Sequence, residues 1–189
     1  MTEEKSNLVQ IIKKELVAHV INLDEDIKEP EHYREAFQTL READAGDEIV
    51  INVNSCGGSL STVCQFYADI ISSRARVHAN ITEAYSAAAL ICLSCDNIAS
   101  MDHSVMMLHT ATGGVWDRPK EMKDYSEFLD KRMERLIRML CAGFLTKKEI
   151  VDLLNGKTFW FNHDEILRRT KRWTPISIRK SREEKNYGP

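Results

Sequence analysis

The sequence lacks the features that mark membrane, secreted and nucleic-acid-binding proteins. No apolar run approaches the roughly 20 residues that a membrane helix needs, and the acidic, polar start "MTEEKSNLVQ" is unlike a secretory signal peptide. Lys and Arg number 26 against 29 Asp and Glu, for a formal net charge of −3, so overall charge gives no reason to expect nucleic-acid binding. We therefore predict a cytoplasmic protein with no membrane partner.

The sequence also lacks the cysteine pattern of a disulfide-stabilised or metal-binding protein. Five cysteines, an odd number without the spacing of a small disulfide scaffold, predict reduced thiols inside a cell. Cys92 and Cys95 form a CxxC pattern, but no Cys or His stands at metal-ligand spacing from them, so we interpret them as packing thiols in a buried segment. We expect no metal and no organic cofactor. With no repeat, low-complexity segment or Gly/Ser linker, residues 1–189 are predicted to form a single domain.

Strand-like and helix-like segments alternate along the chain, which predicts an α/β fold with a mainly parallel sheet. Strands are predicted at 16–23, 47–55, 76–81, 97–101, 104–109 and 157–161. Helices are predicted at 30–43, 60–73, 83–95, 145–156 and 162–169, and a long amphipathic helix begins near Pro119. The apolar face of the helix at 60–73 is Leu60, Val63, Cys64, Tyr67 and Ile71, and that of the long helix is Met122, Tyr125, Leu129, Met133, Leu136 and Leu140.

Three places could carry chemistry, and each has an ordinary alternative. Ser86 stands where a helix begins, so it could cap the helix or act as a nucleophile whose developing charge the helix N-terminus favours. Gly57 and Gly58 follow a predicted strand and could simply form a turn, or could aim backbone N–H groups at an oxyanion. His109 ends another strand and could be structural, or could reach the carboxyl edge of the sheet, where active sites of parallel sheets gather.

The order of these segments resembles a known family. Along the chain come "INVNSCGGSLS", "EAYSAAALICLS" and "VMMLHTATGG", each at a strand end, followed by a long helix. This order resembles the proteolytic subunit of the Clp protease, the ClpP family of serine peptidases, with Cys56 where proline is usual. "LVAHVINLDEDI" resembles the family's first strand, and the similarity runs from about Ile11 to Leu167. It implies a ClpP/crotonase-like fold with a protruding handle helix after Pro119.

The resemblance also implies functional roles. Ser86 would be the nucleophile, His109 the general base, and the N–H groups of Gly58 and Ala87 the oxyanion hole. The subunits would form two stacked heptameric rings that enclose the active sites. Peptides or unfolded proteins would be the substrates and would bind as an added strand, while folded proteins would need an AAA+ unfoldase ATPase.

One departure concerns the third catalytic position. The family's aspartate corresponds to Thr158, whose spacing from His109 agrees with the family. A threonine hydroxyl can accept a hydrogen bond from the histidine ring but offers no negative charge to the imidazolium. If Thr158 takes the third role, we expect a slow enzyme. Alternatively, Asp152 or Asp164 supplies the carboxylate, or Thr158 is an ordinary strand residue without a catalytic role.

Two departures concern partners. Too few residues precede Ile11 for the family's N-terminal axial loop, which argues against partnership with the unfoldase. The C-terminal part is predicted to be a basic, solvated tail over residues 168–189, because seven basic residues and no acidic one lie between Arg168 and Arg182. Nucleic-acid or partner contact by this tail is an alternative. These departures suggest a divergent member of the family, such as a phage-encoded one acting in the host cytoplasm.

Three functions compete on this basis. The first is a serine endopeptidase that forms an acyl-enzyme on Ser86. The second is a weakly active or non-catalytic subunit that co-assembles with an active relative, as the threonine at position 158 suggests. The third is an acyl-CoA enzyme, since the ClpP and crotonase folds are related; fold similarity alone is weak evidence for it.

Overall fold

A computed structural model describes residues 17–110, 119–176 and 178, which form a five-stranded sheet with six α-helices. The strands are β1 (Ala18–Leu23), β2 (Glu48–Ser55), β3 (Arg76–Tyr85), β4 (Asn97–Leu108) and β5 (Phe159–Asn162). The helices are α1 (Arg34–Glu42), α2 (Leu60–Ser72), α3 (Ala87–Cys92), α4 (Pro119–Leu140), α5 (Lys147–Leu154) and α6 (His163–Thr170), and a 3-10 turn at Pro30–Tyr33 leads into α1.

The sheet has the simple strand order β1-β2-β3-β4-β5. Strands β1 to β4 are parallel, and β5 runs antiparallel to β4. The predicted α/β class with a mainly parallel sheet is therefore confirmed. Because parallel strands end at the same edge of a sheet, the segments that follow β2, β3 and β4 lie side by side. These segments contain Gly57 and Gly58, Ser86, and His109.

The core lies on one face of the sheet, beneath α1, α2 and α3. Alternate residues of β2 point into it, and Ile49, Ile51 and Val53 are almost fully buried. Phe37 of α1 meets Phe66 of α2 edge-to-face, with ring centroids 4.9 Å apart. This contact fixes α2 against α1 and so fixes the position of the turn that precedes α2.

The predicted apolar face of α2 is rotated by about one residue relative to the structure. Val63 is buried as predicted, but the deepest apolar neighbours are Phe66 and Ile70, while Leu60, Cys64, Tyr67 and Ile71 are only partly buried. Two polar residues share the buried face: the Thr62 hydroxyl donates to the Lys28 carbonyl at 2.6 Å, and Asp69 pairs with Arg41. Apolar periodicity cannot register such partnered polar residues, so it misplaced the face.

Two predicted boundaries in the middle of the chain are wrong. The strand predicted at 76–81 continues to Tyr85, so α3 begins only at Ala87 and not at residue 83. The strands predicted at 97–101 and 104–109 are one strand, β4, with an irregular register beside Ile81. The Ser104 hydroxyl closes this irregularity, because it accepts from the Met101 N–H at 2.7 Å and donates to the Ile81 carbonyl at 2.6 Å.

Among the side chains that the structure describes, helix α4 has a buried face only in its second half. Met133, Leu136 and Leu140 pack into the core as predicted, whereas Tyr125 and Phe128 are 46% and 59% exposed. The described part does not include residues 1–16 or residues 111–118, which contain most of "TATGG". It also does not include the side chain of Met122. The exposed apolar residues lie toward the start of the helix, where the handle helix was predicted to protrude.

The predicted solvated tail is wrong at its beginning. Arg169 lies in the last turn of α6 and is only 4% exposed. Its guanidinium donates to Glu149 of α5 at 2.6 Å and to Glu165 at 2.8 Å, and it stacks over the Phe161 ring. Trp173 and Ile176 are buried as well. Counting charges along the sequence could not reveal this pairing, because Glu149 comes from a different helix. Residues 177 and 179–189 lie outside the described part.

Candidate active site

Ser86 and His109 are brought together at the carboxyl edge of the sheet. The Oγ of Ser86 lies 2.8 Å from Nε2 of His109, a hydrogen-bond distance. Ser86 directly follows β3 and His109 directly follows β4, the neighbouring parallel strand. Both side chains are half-buried. A hydroxyl in this position can pass its proton to the imidazole as it attacks a carbonyl carbon.

The backbone of Ser86 forms a sharp turn between β3 and α3. Its φ of 54° and ψ of −118° make it the one non-glycine residue with positive φ in the described ranges. Such a conformation costs on the order of 1–3 kcal/mol. The turn is held by the Ser86 N–H, which donates to the Met107 carbonyl, and by the Ser86 carbonyl, which accepts from the Leu90 N–H. A strained strand-to-helix turn that exposes a serine Oγ is typical of nucleophile elbows.

The helix-cap interpretation of Ser86 is wrong for its side chain. Ser86 does occupy the N-cap position of α3, but its hydroxyl makes no capping hydrogen bond. By contrast, Ser59 at the start of α2 accepts from the Thr62 N–H, as a capping serine does. The hydroxyl of Ser86 is directed to His109 instead.

Gly57 and Gly58 leave no room for a side chain. A Cβ on Gly57 would lie 2.6 Å from the Tyr85 carbonyl oxygen and 2.8 Å from the Ser86 Cβ, and a Cβ on Gly58 would collide with the Ile27 carbonyl oxygen. Gly57 has a φ of 97° and Gly58 a φ of 146°, both in the region that favours glycine. Gly57 therefore allows the turn after β2 to pack directly against the turn that carries Ser86, and Gly58 allows it to pack against Ile27.

Two backbone N–H groups beside Ser86 have no acceptor among the described residues: those of Gly58 and Ala87. The bridge between Ile27 and Gly58 uses the Gly57 carbonyl and the Ser59 N–H, so the Gly58 N–H points away from Ile27. The Ala87 N–H lies in the first turn of α3, where backbone N–H groups have no acceptor within the helix. Donors of this kind can bind the oxyanion that forms when a nucleophile adds to a carbonyl.

A cleft of about 310 Å³ opens at these residues. Ser86, Ala87, His109 and Gly58 lie on it together with Cys56, and its apolar lining is Leu60, Leu90, Met107 and Met133. Desolvation, with smaller contributions from Glu83 and Cys56, raises the pKa of the Tyr85 hydroxyl next to the nucleophile. Sequence reasoning missed the apolar lining, although Met133 was already part of the periodic face of α4.

Thr158 lies in the segment just before β5 and is exposed. Leu108 pairs with Phe159 across β4 and β5, so continuing the register by one residue places Thr158 opposite His109. No hydrogen bond joins these two side chains within the described ranges. The borrowed carboxylates do not reach His109 in that part of the chain either: Asp152 pairs with Lys148 at 2.8 Å, and Asp164 is exposed in the first turn of α6.

The cysteines show no arrangement for metal binding in residues 17–110, 119–176 and 178. None of the five cysteines forms a disulfide, and no group of three or more His, Cys, Asp or Glu side chains there could hold a metal ion. Burial raises the pKa of the Cys92 and Cys95 thiols far above the ordinary value, and the Cys95 thiol donates to the Ile91 carbonyl. The structure thus places both side chains in the core as inert packing groups.

Comparisons with known proteins identify a family. Residues 3–168, most of the chain, match the protein-family model described as Clp protease. A search of curated proteins found no match. Among the helices that the structure describes, none is both long and apolar enough to cross a membrane.

Proposed function

The chain belongs to the Clp protease family of peptidases, and on that premise we propose that it is a serine endopeptidase that acts through an acyl-enzyme on Ser86. The observation that carries this proposal is the 2.8 Å contact between Ser86 Oγ and His109 Nε2 at a strained turn. An ordinary capping serine explains neither the strain nor the partner. The activity needs a hydroxyl, a base and donors for an oxyanion, and all three lie on one cleft.

Acylation follows from this arrangement. Ser86 Oγ attacks the carbonyl carbon of the scissile peptide bond while His109 Nε2 takes the hydroxyl proton. The negative charge that develops on the carbonyl oxygen is bound by the N–H groups of Gly58 and Ala87. His109 then gives its proton to the amine nitrogen as the C–N bond breaks, and the amine half of the peptide leaves.

Deacylation repeats the sequence with water. His109 takes a proton from the attacking water, the same two N–H groups bind the second oxyanion, and the proton returns to Ser86 Oγ as the acid product departs. Thr158 would accept a hydrogen bond from the His109 ring and hold its orientation. Because a hydroxyl carries no charge to stabilise the imidazolium, we expect slow turnover.

The assembly that fits this function is a closed one. By analogy with the family, we propose two stacked heptameric rings with the cleft facing the interior, and substrates that are peptides or unfolded proteins. The exposed apolar side chains of Tyr125 and Phe128 on α4 support a contact between copies, since they have no core to bury them. Five cysteines with no disulfide among them fit a reducing compartment such as the cytoplasm.

A second function is favoured by Thr158 alone. A chain without a carboxylate at this position could be a non-catalytic subunit that co-assembles with an active relative. The two functions differ in what the purified homo-oligomer does. We expect it to cleave internally quenched peptides slowly and the Ser86→Ala variant to cleave none, with both eluting at the same size. Cleavage that survives in Ser86→Ala would contradict the proposed function.

A further inference from the structure

An aromatic pair, half-buried Tyr85 and exposed Trp160, lies beside the candidate active site and plays no part in the chemistry described above. Trp160 of β5 is 61% exposed, although tryptophan is one of the largest apolar side chains. Its ring packs edge-to-face on Tyr85, with centroids 5.4 Å apart and an interplanar angle of 68°. A large apolar surface that a protein leaves open to solvent often marks a binding site.

The pair belongs to a row across three strands. Tyr85 of β3 pairs with Met107 of β4, and Met107 pairs with Trp160 of β5. The neighbouring residues in the three strands all point into the core: Ala84, Met106 and Phe161. Because side chains alternate between the two faces of a sheet, Tyr85, Met107 and Trp160 form one continuous surface on the face opposite the core.

This surface is continuous with the cleft. Met107 lines the same cleft as Ser86 and His109, and Tyr85 directly precedes Ser86. His109 stands two residues beyond Met107 along the chain, a distance of about 7 Å at the rise of a strand. The row therefore extends the cleft as an apolar surface from Met107 to Trp160 on β5, the strand beside β4.

Proton transfer decides which half of a peptide lies there. In the proposed mechanism His109 protonates the departing amine, so the amine half of the substrate must leave on the side of His109. We propose that Tyr85 and Trp160, with Met107 between them, bind a large apolar or aromatic side chain on the leaving-group side of the scissile bond. This inference rests on the proposed function and adds a substrate preference to it.

An aromatic side chain suits this surface better than a small one. It can pack edge-to-face on the Trp160 ring and cover the thioether of Met107, which is a favourable contact for aromatic rings. A ring-to-ring contact of this kind corresponds to a preference of about three- to tenfold over alanine. A charged residue such as aspartate would gain nothing from the row.

Acyl transfer measures this preference directly, without knowledge of the natural cleavage site. A p-nitrophenyl ester acylates Ser86 and releases p-nitrophenol. The acyl-enzyme is then attacked either by water or by the amine of an added amino acid amide; His109 takes the amine proton and returns it to Ser86 Oγ. Phenylalaninamide and alaninamide are compared as acceptors by the ratio of transfer to hydrolysis.

We expect phenylalaninamide to be the better acceptor for the wild type by about three- to tenfold, and Trp160→Ala to bring the ratio of the two acceptors close to one. Trp160→Phe should keep most of the preference because it keeps a ring. Val20→Ala is the matched control: Val20 is also 61% exposed, but it lies on β1, at the opposite edge of the sheet. A wild type without preference, or a Trp160→Ala variant that keeps it, would overturn the inference.

Failure of the proposed function gives a different result. If the wild type releases no more p-nitrophenol than Ser86→Ala, the acyl-enzyme mechanism is wrong. The surface is then tested by the affinity of the Ser86→Ala variant for phenylalaninamide and alaninamide, measured by ligand-observed NMR. Tighter binding of phenylalaninamide that Trp160→Ala removes supports the surface, and equal binding of the two amides overturns it.

Discussion

Ser86 and His109 lie 23 residues apart in sequence, yet Ser86 Oγ and His109 Nε2 are 2.8 Å apart. The contact exists because β3 and β4 are parallel neighbours that end at the same edge of the sheet. Ser86 extends β3 by one residue and His109 extends β4 by one residue, so a short turn at each strand end is enough to join them.

The strain at Ser86 predicts an unusual order of stability among its variants. Ser86→Ala keeps the positive φ, whereas Ser86→Gly relieves strain of about 1–3 kcal/mol and loses about 0.5–1 kcal/mol through the greater freedom of unfolded glycine. Ser86→Gly should therefore be the more stable by about 1 kcal/mol. Thermal unfolding at equal protein concentration measures the difference; a glycine variant that is no more stable would show that the turn is not strained.

Gly57 is predicted to position Ser86 by contact. Gly57→Ala would press a Cβ against the Tyr85 carbonyl and the Ser86 Cβ, so the turn must shift and Ser86 should react at least about tenfold more slowly, as catalysis tolerates little misplacement. Gly156→Ala is the control, because Gly156 has a similar φ of 91° and nothing within 4 Å of an added Cβ. Equal reactivity of Ser86 in the two variants would refute the positioning role.

Position 158 should respond to charge more than to shape. Thr158→Asp should raise kcat/KM for peptide cleavage by at least about tenfold, since losing the carboxylate of a serine-protease triad lowers kcat about 10⁴-fold. Asparagine has nearly the same shape as aspartate but no charge, so Thr158→Asn should raise kcat/KM little. No gain with aspartate would mean that residue 158 does not act on His109 or that the site is inactive for another reason.

The hydrogen-bonded pair of Arg169 and Glu149 predicts that the fold loses stability in acid. Hydrogen bonding to Arg169 lowers the pKa of Glu149 from 4.5 to about 2. Because the folded-state pKa lies below the unfolded one, the carboxylate stabilises the fold above about pH 4.5, and this contribution is lost as the pH falls toward 2. Glu149→Gln should cost about 3 kcal/mol of unfolding free energy at neutral pH and progressively less in acid.

A matched variant separates this pair from surface charge in general. Glu134 bonds Arg138 at 2.8 Å within α4, but both side chains are about half exposed. Glu134→Gln should therefore change the unfolding free energy by less than about 1 kcal/mol at either pH. Urea titrations of both variants at pH 7 and pH 3 measure the contrast, and similar losses for the two would contradict the role of burial.

The fold class could be predicted from the sequence, and so could the proximity of the candidate site residues. Alternating strands and helices predicted a parallel sheet, and a parallel sheet brings the ends of its strands to one edge, where Gly58, Ser86 and His109 stand. What pattern reasoning could not supply was geometry set by distant partners. The positive φ of Ser86 depends on a hydrogen bond that Ser86 donates to β4 and one that it accepts from α3. The buried face of α2 depends on Phe37, and the burial of Arg169 depends on Glu149.

The row of Tyr85, Met107 and Trp160 could not be predicted from the sequence either. Tyr85 and Trp160 become neighbours only because β5 returns antiparallel to β4 in one particular register. Alternation within "KTFWF" predicts a strand but neither its direction nor its partner. Periodicity therefore predicts elements well, while the pairing of residues far apart in sequence needs the folded structure.

The central claim is that His109 activates Ser86 as a nucleophile. Labelling with a fluorophosphonate probe, followed by peptide mass spectrometry, tests it most directly, with Ser86→Ala and His109→Ala as controls. The account predicts one phosphonylated peptide, modified at Ser86, in the wild type and no such adduct in either variant. An assembled, folded wild type that carries no adduct at Ser86 would contradict the claim.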